Sequence, residues 1–229
     1  MSGRARAAKA RVGFDAPFEP FAWIENGSPR GMLIELVTAV LDAAGQAREL
    51  VPLELDFSER ALITGVVDAL AFKGITPERC EVLAFSDPLI VSGAAAFTRP
   101  GLPPSFSLGD FAGLTLATPR HGPLAARIER DHPEINILRV ASYRESFDAV
   151  GLGRADLAVL NFHAGRRMAQ SQYPGRFNLP DAPSIPVTLA LATSKSRTMS
   201  WLARFNAALA RLHAEGTAQR IISRWSMAQ

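Results

Sequence analysis

One cysteine, Cys80, stands among 229 residues. An internal disulfide is therefore impossible, and so is a metal centre built on several thiolates. Beside Arg79, this lone thiol reads as a structural cysteine rather than a nucleophile. Runs of like charge are also missing. The 25 Lys and Arg and the 22 Asp and Glu are scattered in small groups, leaving a formal net charge of +3. Only the opening stretch to Arg11 is markedly basic. No Lys/Arg stripe interleaved with aromatics occurs, which argues against nucleic acid as a partner. No segment is apolar for long enough to span a bilayer. The basic opening lacks a following apolar stretch, so this numbering holds no complete secretory signal. His-x-x-x-His, Gly-x-Gly-x-x-Gly and phosphate-loop patterns are all absent, and neither a metal nor a cofactor is expected.

What is present is enough apolar material for a core. Hydrophobic residues make up 48% of the chain, sufficient for one domain or two modest ones. The pI near 9.5 fits a small anionic ligand as well as it fits nucleic acid. Arg11–Asp15 reads as a strand, and the Pro- and aromatic-rich stretch from Ala16 to Pro29 as a structured loop. Leu33, Leu36, Val37, Val40 and Leu41 recur at helical spacing, which predicts a helix from Gly31 to Ala44 stopped by Gly45. Glu49–Leu55 is strand-like. Ser58 is expected to cap a short helix closed by Gly65. Val67–Phe72 reads as a buried strand. Thr76-Pro77 marks a helix start, and Val82–Phe85 and Ile90–Phe97 are further strands. After a Pro/Gly break at Arg99–Pro104, strands are expected at 114–118, 135–140, 157–160 and 186–193. Helices are expected at 122–131, 142–152, 162–170, 198–214 and 216–225. This alternation predicts an α/β architecture.

A faint echo joins the two halves. Gly65-x-x-Asp68 and Gly153-x-x-Asp156 each follow a helix end and precede an apolar strand, which suggests two lobes of similar topology. The default role of both aspartates is local, setting the turn before a strand.

With these residues in hand, the sequence resembles a family 3 periplasmic solute-binding protein of the amino-acid-binding branch. The resemblance runs from Arg11 to Trp225. It rests on Val12-Gly13-x-Asp15 with Pro20-Phe21, Gly31-x-x-x-Glu35-Leu36, and Gly65-Val66-Val67-Asp68-Ala69. Ile75-Thr76-Pro77-Glu78-Arg79 and Phe85-Ser86-Asp87-Pro88-Leu89 carry it furthest. In the second half it continues through Leu108-x-Asp110-Phe111-x-Gly113, Gly153-Arg154-Ala155-Asp156 and the tail to Trp225. The resemblance implies a type II fold with two parallel-type sheets, helices on both faces and a two-strand hinge near Ala94–Thr98 and Ile185–Leu189. Lobe 1 would be 11–95 with 188–229, and lobe 2 would be 96–187. It also implies a monomer, a periplasmic location and an ABC-type membrane permease as partner. A cytoplasmic location stays open at this point.

For the site, the resemblance makes Arg79 the clamp for a ligand carboxylate. A guanidinium there offers a planar fork of donors. Phe18 would be the aromatic platform, with Trp23 compatible with platform or packing, and Asp15 faces the same cleft. Departures from the family pattern point to the ligand. Phe72 and Gly74 stand where hydroxyl or backbone donors occur seven and five positions before the arginine, with Lys73 between them. Arg120-His121-Gly122 replaces the hydroxyl-bearing anion turn. Asn161 stands where a carboxylate would pair the ligand ammonium. An ammonium without that partner is costly to bury, so the expected solute is a carboxylate without an obligatory free ammonium. A lyase of the cyclohexadienyl dehydratase type on the same scaffold is the alternative, with His121 as acid or base and Glu19 or Glu78 as partner. A ligand-binding sensor is a further one. His163 and His213 read as packed or exposed helix residues.

Overall fold

The computed structural model describes residues 9–54, 57–102, 107–120, 124–197 and 200–227. The chain divides into two compact units. One runs to Val91 and resumes at Thr188; the other is Ser92–Val187.

In the first unit, β1 (Ala10–Asp15) pairs in parallel with β4 (Arg48–Leu53) on one side and β5 (Ala69–Gly74) on the other. Between β1 and β4 lie a hairpin, β2 (Trp23–Glu25) and β3 (Ser28–Arg30), and helix α1 (Met32–Ala43). The expected structured loop contains this hairpin: Asn26-Gly27 forms its turn with positive φ at both residues, the usual signal for a two-residue hairpin. α1 buries the stripe Leu33, Leu36, Val37, Val40 and Leu41 and packs on α7 (Leu202–Ala214) and α8 (Thr217–Met227). Helix α2 (Ser58–Thr64) ends at Gly65 as expected, but Ser58 is its first residue and not its cap. Phe57 holds the cap position, and Ser58 is drawn fully into the interior beside Ala61 and Leu62. Helix α3 (Pro77–Val82) leads into the short strand β6 (Leu83–Phe85).

In the second unit, β8 (Thr115–Pro119) lies between β9 (Asn136–Val140) and β10 (Leu157–Asn161), parallel to both. Helices α4 (Leu124–Asp131), α5 (Tyr143–Gly151) and α6 (Phe162–Gln172) alternate with these strands. Residues alternate along β10 so that each face joins its own core. Ala158 and Leu160 join Phe147, Ala169, Tyr173 and Phe177; Leu157 and Val159 join Phe111, Leu116 and Ile128.

Two strands carry the chain from unit to unit, β7 (Ile90–Thr98) and β11 (Ile185–Ser194). Each runs antiparallel to its neighbour, β11 to β5 and β6, and β7 to β10. The sheets are therefore mixed, which corrects the expectation of parallel-type sheets. A strand arriving from the other unit has no crossover helix to turn it into the parallel direction. The order β4-β1-β5-β11 in one unit mirrors β9-β8-β10-β7 in the other. The echo in the sequence has a common structural meaning. Asp68 accepts from the Arg11 amide at 2.8 Å while its own amide donates to the Arg11 carbonyl. Asp156 does the same with Thr115, at 2.9 and 2.8 Å. Gly65 and Gly153 both turn with positive φ, 85° and 72°, a backbone region that side-chain-bearing residues avoid.

Candidate functional site

Parallel strands in open α/β units place ligands beyond their carboxyl ends. In the first unit β1 ends at Asp15 and β5 at Phe72-Lys73-Gly74. These three consecutive residues each hold a different element. Phe72 packs against Phe18 and Phe21, with ring centroids 6.3 and 6.0 Å apart, and Phe18 lies 5.0 Å from Phe21. Phe21 and Phe72 are buried, whereas Phe18 is half-exposed. The trio therefore presents one ring, backed by two others.

Lys73 donates to the Asp15 carboxylate, Nζ to Oδ2 at 2.7 Å, with the two side chains only 6% and 5% exposed. The second oxygen, Oδ1, is buried and has no hydrogen-bond partner among the described residues. The Gly74 carbonyl accepts from Arg79 Nη1 at 3.1 Å.

Arg79 lies in the first turn of α3, where Thr76 Oγ1 accepts from the Arg79 amide and Pro77 opens the helix. That cap fixes where the guanidinium starts from. Glu59, in the first turn of α2, accepts from Arg79 Nε at 2.9 Å and lies 2.8 Å from Nη2. Of the five guanidinium N–H groups, these contacts use three; among the described residues no contact takes up the other two, which sit on the terminal nitrogens. Sequence reading missed Glu59. It is twenty residues from Arg79, in another helix, and no motif links them.

The contacts of the other expected site residues are as follows. Trp23 meets Trp225 edge-on at 5.4 Å. Glu19 and Glu78 are exposed. Arg120 is exposed just past β8, its amide donating to Val140. His121 and Gly122 lie outside the described residues. Asn161 caps α6, its Oδ1 accepting from the His163 and Ala164 amides, while its Nδ2 donates to Ser92 at 3.1 Å. Its amide donates to Tyr143 Oη, and burial pushes the Tyr143 hydroxyl above its ordinary pKa. Tyr143 and Ser92 are thus further polar neighbours of Asn161 that the sequence did not announce. Cys80 is half-buried in α3. Among the described residues no group of three His, Cys, Asp or Glu could hold a metal, and no helix is long and apolar enough to cross a membrane.

The family model described as bacterial extracellular solute-binding proteins, family 3, matches residues 10–228. Among solved structures, the chain is similar to an ancestral cationic amino acid solute-binding protein. The TM-score is 0.77 and the identity 26%, over 95% of this chain and 95% of that one. A histidine kinase sensor domain with similarity to periplasmic binding proteins gives the same TM-score, 0.77, at 26% identity over 97% of each chain. The periplasmic VFT2 domain of Bordetella pertussis BvgS gives 0.74 at 20% identity, over 94% of this chain and 92% of that one, a likeness of fold. No curated protein sequence matches significantly.

Proposed function

Since the chain belongs to the bacterial extracellular solute-binding proteins of family 3, we propose that it captures one small anionic organic solute, a carboxylate or amino-acid derivative, and delivers it unchanged for uptake. The fold is the bilobed α/β type II periplasmic-binding-protein fold, and solute binding is its general function. The finer reading rests on Arg79. Its helix start, the Gly74 carbonyl and Glu59 hold the guanidinium, in the unit that also carries the aromatic trio, with two N–H donors taken up by no contact among the described residues. Charged N–H donors of a guanidinium suit a carboxylate. Phe18 supplies apolar contact for the solute body. Arg120, His121, Gly122 and Asn161 remain the proposed contribution of the second unit. The extracytoplasmic location and the ABC-type permease partner follow from the same reading.

Calorimetric titration with matched pairs, such as 2-oxoglutarate against glutamate, tests it. The acid without the free ammonium is expected to bind more tightly; uniform preference for the free α-amino acid overturns the solute class. Arg79→Ala is expected to cost about 2–5 kcal/mol of binding, thirtyfold or more in Kd. Mass spectrometry of the released solute should return it unchanged.

A second reading, a sensory ligand-binding domain, is favoured by the likeness to a histidine kinase sensor domain. Gene context separates the two. Adjacent permease and ATPase genes support uptake, and a kinase in the same reading frame or next to it supports sensing.

A further inference from the structure

Arg79 is half-exposed, but the second cation of the cluster is not. Lys73 and Asp15 are sealed together at the ends of β5 and β1, 2.7 Å apart. Lys73 stands between Phe72, which backs the Phe18 ring, and Gly74, which holds Arg79. Its charge is therefore spent on a carboxylate of its own chain, next in sequence to the two residues that contact Phe18 and Arg79.

An isolated buried carboxylate at this place would be a strong attractor for an ammonium or guanidinium, because a desolvated charge is costly until it is paired. With Lys73 in place the local charge cancels, and a second cation brought to Asp15 meets a like charge. What remains is Oδ1, buried and unpartnered among the described residues. It is an acceptor suited to a neutral N–H or O–H. Specificity of this kind comes from repulsion as much as from attraction.

We propose that Lys73 is a specificity-determining residue that neutralises Asp15, so that the site rejects solutes with a cationic far end and accepts a carboxylate whose far end carries a neutral hydrogen-bond donor. This deepens the solute-binding reading above and rests on it.

The test is calorimetry with N-acetylglutamine, N-acetylglutamate and N-acetylornithine. All three share the α-carboxylate for Arg79 and lack a free α-ammonium; they differ only in a neutral, anionic or cationic far end. The wild-type protein is expected to bind N-acetylglutamine at least tenfold more tightly than N-acetylornithine. Lys73→Met is expected to reverse that order. Asp15→Asn with Lys73→Met removes both charges and is expected to abolish the preference, and it serves as the folded comparison where the single variant is unstable. An order that Lys73→Met leaves unchanged, or a double variant that still discriminates, overturns the role of Lys73 alone. Failure of the wild-type protein to bind any of the three overturns the carboxylate-solute reading and this inference with it.

Discussion

A guanidinium already held by a carboxylate of its own chain binds a second carboxylate less well than a bare one. Glu59 occupies one edge of Arg79, with side chains 37% and 29% exposed. At that exposure the pair contributes at most about 1 kcal/mol to stability. Glu59→Gln should therefore leave urea unfolding nearly unchanged while tightening carboxylate binding by a few fold in calorimetry. Unchanged or weaker binding would mean that Glu59 positions Arg79 rather than competing for it. The Asp15–Lys73 pair behaves in the opposite way. Removing one partner leaves a buried charge uncompensated, so Lys73→Met should cost about 3–5 kcal/mol in urea unfolding. Adding Asp15→Asn should recover much of that loss. Summing cations along the sequence misses this pairing, because residues 15 and 73 meet only through the parallel alignment of β1 with β5. The setting of Arg79 was more legible, since Thr76-Pro77 marks the helix start that carries it.

Among elements, most strands and helices could be read from periodicity and punctuation, and the misses have local causes. The β2–β3 hairpin was hidden by the density of prolines and aromatics around Asn26-Gly27. Ser58 has the chemistry of a cap, but burial claimed it for the interior. The direction of β7 and β11 was not legible at all, because antiparallel entry is a property of the chain path and not of residue pattern. The Gly-x-x-Asp echo was legible and bears on stability. Burial raises the pKa of the Asp68 carboxyl, but hydrogen bonds from the Arg11 side chain and amide, with the charges of Arg11 and Arg197, outweigh it and hold the group below its ordinary value. The unfolded chain thus binds the proton more readily than the folded one. The stabilisation is present above the unfolded pKa, about 3.9, and is lost as pH falls through the lower folded value. Asp68→Asn should cost about 1 kcal/mol at pH 7. It should also flatten the loss of stability below about pH 4, as measured by urea unfolding at several pH values. A variant that keeps the wild-type acid slope would assign that slope to other carboxylates.

At the scale of the molecule, the two units differ in how they are encoded. The second is one uninterrupted segment, Ser92–Val187, with a core on each face of its sheet. Its two ends lie together: a Cβ placed on Gly93 would collide with the Ile185 carbonyl oxygen. A segment with adjacent ends and its own core meets the requirements for folding alone. The first unit does not. Its β5 and β6 need β11 from the far end of the sequence, and α1 needs α7 and α8 to cover its apolar stripe. A fragment of residues 90–188 is therefore expected to unfold cooperatively in urea and to give dispersed amide resonances. A fragment ending at Val91 should do neither, because the sheet edge of β5 and one face of α1 are left open. Adding residues 188–229 to that fragment through a short Gly/Ser linker should restore cooperative unfolding, since it returns β11, α7 and α8 together. If the fragment ending at Val91 folds without them, the pairing of β5 with β11 contributes less than burial implies. If the 90–188 fragment stays unfolded, its two cores depend on support from the rest of the chain, and the independence of the second unit fails.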